Sequence, residues 1–161
     1  MVVGTGGTTT AAGAGSGSQS DGDSLPRTTE PVGVASPAAE AGPVMVIEDD
    51  RLVRAAVSAF LEELGCEVLA APSAAAALAM ITPLTRRPRL LICDYGLPGG
   101  VDGLQAILSI RRELGNDFVA CLMTGLVSPE VRAGCREAGV PLLYKPVSPA
   151  TLRSIVREAC G

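Results

Sequence analysis

This sequence predicts a doubly wound α/β fold, five parallel strands with five helices, on three observations. Short apolar runs alternate strictly with segments of helical period, the pattern of strand–helix–strand crossovers. The apolar runs show no polar alternation, as expected of strands covered on both faces. Carboxylates, a hydroxyl and a lysine stand at the carboxyl ends of these runs, where open parallel sheets bind their ligands.

The elements follow in order. Val44–Ile47 is a short apolar run that ends at Glu48-Asp49-Asp50. Val53, Ala56, Val57, Phe60, Leu61 and Leu64 then recur at helical spacing and define one helix face. Asp50 suits the N-cap of this helix, and Gly65 its stop. Cys66–Ala71 reads as the second strand, and Ser73 caps an alanine-rich helix to about Ile81. Pro88–Cys93 reads as the third strand, with Asp94 just past it. A helix over Asp102–Leu114 stops at Gly115, and Phe118–Met123 is the fourth strand. Ser128-Pro129 opens a helix to about Ala138, with serine at the cap and proline in the first turn. Val140–Leu143 is the fifth strand, and Ser148-Pro149 repeats the cap for a last helix to about Cys160.

Residues 1–42 differ from the rest. They are rich in Gly, Ser, Thr, Ala and Pro, lack apolar period, and read as a disordered low-complexity tail ahead of a domain at 43–161. "GTGGTTT" (4–10) looks like a phosphate-binding glycine loop, but only three residues precede it, too few for the strand such a loop needs.

Composition narrows the function. The chain is 47% hydrophobic but only 2% aromatic, so the core is aliphatic. The net charge of −4 argues against nucleic acid as a partner, since such binders carry a basic face. No basic start with an apolar stretch marks a signal peptide, and no apolar run approaches the roughly 18–20 residues of a membrane span. A cytoplasmic protein with no membrane contact is expected. Five cysteines without a C-x-x-C pair indicate reduced thiols and neither a disulfide framework nor a zinc knuckle. The absence of histidine excludes histidine–metal sites and Ser-His-Asp hydrolysis.

With strand order 2-1-3-4-5, the ends of strands one, three, four and five lie together. Glu48, Asp49, Asp94, Thr124 and Lys145 then converge on one edge. Three crowded carboxylates call for a hard divalent cation; Mg²⁺ takes oxygen ligands and keeps some waters. A lysine and a hydroxyl beside it make a place for a phosphoryl group. An aspartate aimed at that place is a nucleophile for it, which explains why an apolar strand ends on the bare carboxylate of Asp94.

At these residues the sequence resembles the receiver domain of two-component response regulators, a flavodoxin-like fold. "VMVIEDDR" is similar to the acidic first strand of that family, "LLICDYGLP" to its phosphoacceptor strand, "LMTG" to its Thr/Ser step and "LLYKPV" to its Lys-Pro end. The resemblance covers about 43–161. It implies Asp94 as phosphoacceptor, with Thr124 and Lys145 contacting the phosphoryl group. It implies Mg²⁺ on Asp49 and Asp94, on Glu48 mainly through water, and on the backbone carbonyl of Gly96. It further implies a cis Lys145–Pro146 bond. The partners expected from it are a histidine kinase or a histidine phosphotransfer protein, and a downstream protein target met around Arg132, Tyr144 and Arg153. The chain would not be an enzyme beyond its own phosphorylation and dephosphorylation.

Two departures stand out. The Pro98–Gly103 loop is one residue longer than usual in the family, in the style of receivers of hybrid histidine kinases. Leu142 occupies the position of an aromatic that swings on activation, and the nearby aromatic, Tyr144, stands two residues further on. The alternatives are a detached hybrid-kinase receiver, a flavodoxin-like cofactor binder, and a haloacid-dehalogenase-type phosphatase, which needs a second acid where Gly96 stands.

Overall fold

The computed structural model describes residues 13, 42–82, 87–126 and 128–161. The tail expected over 1–42 therefore lies almost wholly outside the described residues. From Val44 onward, strands and helices alternate as β1 (Val44–Ile47), α1 (Arg51–Glu63), β2 (Val68–Ala71), α2 (Ala74–Ile81), β3 (Leu90–Asp94), α3 (Gly103–Leu114), β4 (Val119–Thr124), α4 (Pro129–Glu137), β5 (Leu142–Tyr144) and α5 (Pro149–Cys160). The sheet is wholly parallel, in the order β2-β1-β3-β4-β5.

Each helix starts where a side chain can take over an unpaired N–H. Asp50 accepts from the N–H groups of Leu52 (2.8 Å) and Val53 (2.9 Å). Ser73, Asp102, Ser128 and Ser148 do the same for Ala76, Gln105, Val131 and Thr151. Each such cap satisfies a donor that the first turn leaves unpaired and sets the register of its helix.

Strand residues alternate between two cores. Met45, Ile47, Leu91, Cys93, Ala120 and Leu122 face α2, α3 and α4, packing on Ala77, Ile81, Ile107, Ile110 and Val131. Val44, Val46, Leu90, Ile92, Cys121 and Met123 face the other way, onto Leu61 of α1 and Leu152, Val156 and Ala159 of α5. Because both faces are covered, β1 and β3 are buried at every position.

The expected strand bounds shift systematically. β2 starts at Val68, past Cys66, and β3, β4 and β5 each run one residue further toward their carboxyl ends than the apolar stretches do. Apolar runs record burial, whereas the ladder continues on backbone bonds. Tyr95 N–H donates to Met123 O and Lys145 N–H to Thr124 O, both at 2.8 Å. Asp94 and Thr124 are thereby clamped inside the ladder, as is the residue before Lys145. The helix face expected on α1 is only half covered. Leu61 is buried, but Val53 and Ala56 stay exposed. An open groove of about 500 Å³ lies there, lined by Val53, Val57, Met123, Lys145, Pro146, Val147 and Leu152.

The long β3–α3 loop takes up its length at Gly99 and Gly100, both in the left-handed region (φ 94° and 79°). It returns at Gly103, whose N–H donates to Tyr95 O at 2.9 Å. A Cβ at Gly103 would lie 2.0 Å from the Asp94 carbonyl oxygen and 2.8 Å from Leu122 Cδ1. Only glycine lets α3 start against the end of β3. Gly103→Ala is expected to cost about 1–3 kcal/mol, by analogy with overpacked cores, measured by urea unfolding.

Candidate functional site

Every carboxylate, hydroxyl and ammonium that the sequence places at a strand end lies on the same sheet edge. Glu48 and Asp94 are pulled into the protein, 1% and 7% exposed, and Thr124 is 1% exposed; Asp49 projects into solvent. Oxygens of Glu48, Asp49 and Asp94 all lie within 4.8 Å of one another.

Lys145 answers this concentration of negative charge. Its Nζ is 2.8 Å from Glu48 Oε2 and 2.8 Å from Asp94 Oδ1. The second Asp94 oxygen, Oδ2, accepts from the N–H of Gly96 at 3.1 Å. The Lys145–Pro146 peptide is cis. Thr124 Oγ1 accepts from Leu126 N–H at 3.0 Å and donates to Leu126 O at 3.4 Å, so its hydroxyl is held locally. Leu126 is itself 55% exposed at the rim.

Partial burial works against the charged form of Lys145. The hydrogen bonds and charges of Asp94 and Glu48 outweigh it and raise the pKa above the ordinary lysine value of 10.5. Asp50, beside the cluster, has a different task. The N–H groups of Val53 and Leu52 hold its carboxyl below the usual range, as befits a cap. Cys93, next to Asp94 in β3, is pushed well up by burial first and by the Asp94 charge second. Cys121 is pushed up to about 12 by burial. Neither offers a thiolate to compete with the carboxylate.

The donor set fits a hard divalent cation: three carboxylates of clustered oxygens, one of them, Asp49, accepting no hydrogen bond or ion pair among the described residues. Thr124 is one step along β4 from Met123, the register partner of Asp94, and pairs with Tyr144 of β5. Tyr144 accepts from Arg132 Nη2 of α4 at 3.2 Å. Arg153 turns to the other side and lies 5.9 Å above the Phe60 ring of α1. Sequence reading missed Arg54, whose Nη1 binds the carbonyls of Glu48 and Asp49. It carries no motif, only its place one turn into α1.

Residues 44–157 match the response regulator receiver domain family. Ethylene receptor 4 of rice (Oryza sativa), in both its indica and japonica subspecies, is 30% identical over 130 residues, which cover 73% of this chain and 16% of the receptor. The chain thus spans only a small part of the length of these curated relatives. Among solved structures, chemotaxis protein CheY4 of Vibrio cholerae superposes with a TM-score of 0.65 at 26% identity, covering 73% of this chain and 98% of that one. NtrX of Brucella abortus gives 0.65 at 26%, covering 74% of this chain and 27% of that one.

The Lys145 bridge predicts a pH signature. A raised folded pKa means that the bridge stabilises fully below the unfolded value of 10.5 and is lost as pH rises through the raised one. Lys145→Met leaves Glu48 and Asp94 without a counter-charge. In metal-free buffer at pH 7 it is expected to lower stability by about 1–2 kcal/mol, less than for a fully buried pair because part of the lysine is in water. Urea unfolding of both proteins should show that gap narrowing above pH 10.5.

Proposed function

Because the chain belongs to the response regulator receiver domain family, we propose that residues 43–161 form a phosphoacceptor module of a two-component or phosphorelay pathway, phosphorylated on Asp94. The observation that carries this reading is the setting of Asp94. It is a nearly buried carboxylate whose oxygens meet one ammonium and one backbone N–H, beside two further carboxylates.

In this reading a carboxylate oxygen of Asp94 attacks the phosphorus of a donor phosphoryl group. The bond to the donor's leaving atom breaks, and the product is an aspartyl phosphate. Lys145 moves from Asp94 Oδ1 toward a phosphoryl oxygen and offsets its charge. The Thr124 hydroxyl exchanges the Leu126 carbonyl for another phosphoryl oxygen. Glu48, Asp49, Asp94 and the carbonyl of Gly96 would hold Mg²⁺, which supplies charge neutralisation for the phosphoryl oxygens.

The donor is a histidine kinase or a histidine phosphotransfer protein. The open groove between α1 and the β5–α5 turn supports such docking, since it presents apolar side chains next to Lys145. Output passes to a protein partner and not to nucleic acid, in keeping with the acidic balance. Among the described residues, no helix is long and apolar enough to cross a membrane, which agrees with work in the cytoplasm. Receivers are signalling modules; beyond its own phosphorylation and dephosphorylation the chain is read as no enzyme. A haloacid-dehalogenase-type phosphatase would need an acid where Gly96 stands. A receiver belonging to a hybrid kinase is the second reading, favoured by the match to one segment of the much longer ethylene receptor 4.

Two outcomes are expected. Raising Mg²⁺ from zero (EDTA) to 10 mM should stabilise the fold by about 0.5–1.5 kcal/mol, seen as a rise in Tm, because the cation binds only the folded carboxylate cluster. No shift with Mg²⁺, Mn²⁺ or Ca²⁺ would remove the metal site. Acetyl phosphate with Mg²⁺ should add about 80 Da to the intact protein, the mass of one phosphoryl group replacing a proton, and release acetate. Asp94→Asn should abolish the addition, since an amide is no nucleophile; label persisting in that variant would move the acceptor elsewhere.

A further inference from the structure

The turn that presents Glu48 and Asp49 is held from α1. Arg54 Nη1 donates to the carbonyl oxygen of Glu48 at 2.6 Å and to that of Asp49 at 3.1 Å. Those two carbonyls belong to the peptide planes on either side of the Asp49 Cα. One plane sets φ of Asp49 and the other sets ψ. A single donor group bound to both leaves Asp49 little backbone freedom and so fixes the direction of its Cβ.

The rest of the turn is tied as well. Asp50 N–H donates to Glu48 Oε1 at 3.3 Å, and Arg54 N–H donates to Asp50 O at 2.9 Å. The Asp50 carboxylate is engaged by Leu52 and Val53. What remains open is the Asp49 carboxylate, within 4.8 Å of the Glu48 and Asp94 oxygens.

We propose that Arg54 is a positioning residue of the acidic centre, aiming the Asp49 carboxylate by clamping both of its flanking peptide planes. It touches neither cation nor phosphoryl group and acts only through Asp49. The inference rests on reading the cluster as a divalent-cation site, and it goes beyond that reading by giving a role to a residue outside the cluster.

Charge and geometry make opposite demands on Arg54. A guanidinium near the cluster repels a divalent cation, so charge alone says that its removal tightens binding. Clamping says that its removal weakens binding, because Asp49 must then be ordered at the moment the cation arrives. The sign of the change therefore separates the two.

The test is Mg²⁺ affinity by titration calorimetry on the full chain and its variants, with circular dichroism to check that each is folded. Arg54→Met is expected to weaken Mg²⁺ about tenfold, the low end for groups that orient metal ligands. Arg54→Lys, which keeps the charge and donor protons on a shorter stem, should fall between Met and the unaltered chain. Ser73→Ala, which removes the α2 cap away from the cluster, serves as a comparably destabilised control and should bind as the unaltered chain does. Arg54→Met binding Mg²⁺ as well as the unaltered chain, or better, overturns the inference alone. So does an equal loss in Ser73→Ala, which would make the effect one of general stability. No binding by the unaltered chain overturns the cation-site reading, and this inference with it.

Discussion

Three carboxylates crowd one end of a sheet otherwise built from aliphatic side chains, and a single ammonium makes this tolerable. Lys145 reaches from just past β5 to Glu48, just past β1, and to Asp94 at the end of β3. β4 lies between β3 and β5, so the bridge passes over the strand that ends in Thr124. One side chain thus draws the ends of β1, β3 and β5 together, while the Thr124 hydroxyl is held by Leu126. Without a cation there, burying Glu48 and Asp94 would be strongly unfavourable. With it, the charge is compensated but not locked, because a lysine is a mobile point charge on a flexible stem.

The surroundings keep that chemistry selective. Cys93 stands next to Asp94 and Cys121 further back on β4, and burial holds both as thiols. Gly103 brings the first turn of α3 hard against the Asp94 carbonyl, which fixes the strand end from the other side of the sheet. α1 does the reverse. It leaves Leu52 79% exposed and opens an apolar groove beside Lys145. Rigid support behind the carboxylates and an open apolar approach in front suit a site that meets another protein and not a small substrate sealed from water.

Much of this was legible in the chain. Cap residues placed four of the five helices, because an unpaired first turn needs a side-chain acceptor at a set offset, and Asp50, Ser73, Ser128 and Ser148 supply it; Asp102, expected inside its helix, turns out to be the cap of α3. β1 lies where the apolar run put it, but the other four strands were misplaced by a residue or two, since hydrophobicity reports what is buried and not where the ladder ends. The half-open face of α1 was not legible either. Periodicity says which side chains share a face, and only the neighbouring α5 decides how much of that face is covered.

The sequence by itself determined the alternation of strands and helices, the residues at the strand ends, and the chemistry those residues can perform together. Each of these follows from local rules: period, caps, and the reactivity of a carboxylate, a hydroxyl and an amine. Tertiary structure alone decided the pairing. That Lys145 binds both Glu48 and Asp94, that Asp49 is left open, and that Arg54 clamps the turn behind it are matters of a few ångströms. Those distances depend on sheet twist, strand register and the packing of α1. No local pattern encodes such quantities, because they emerge from the whole set of packed contacts at once.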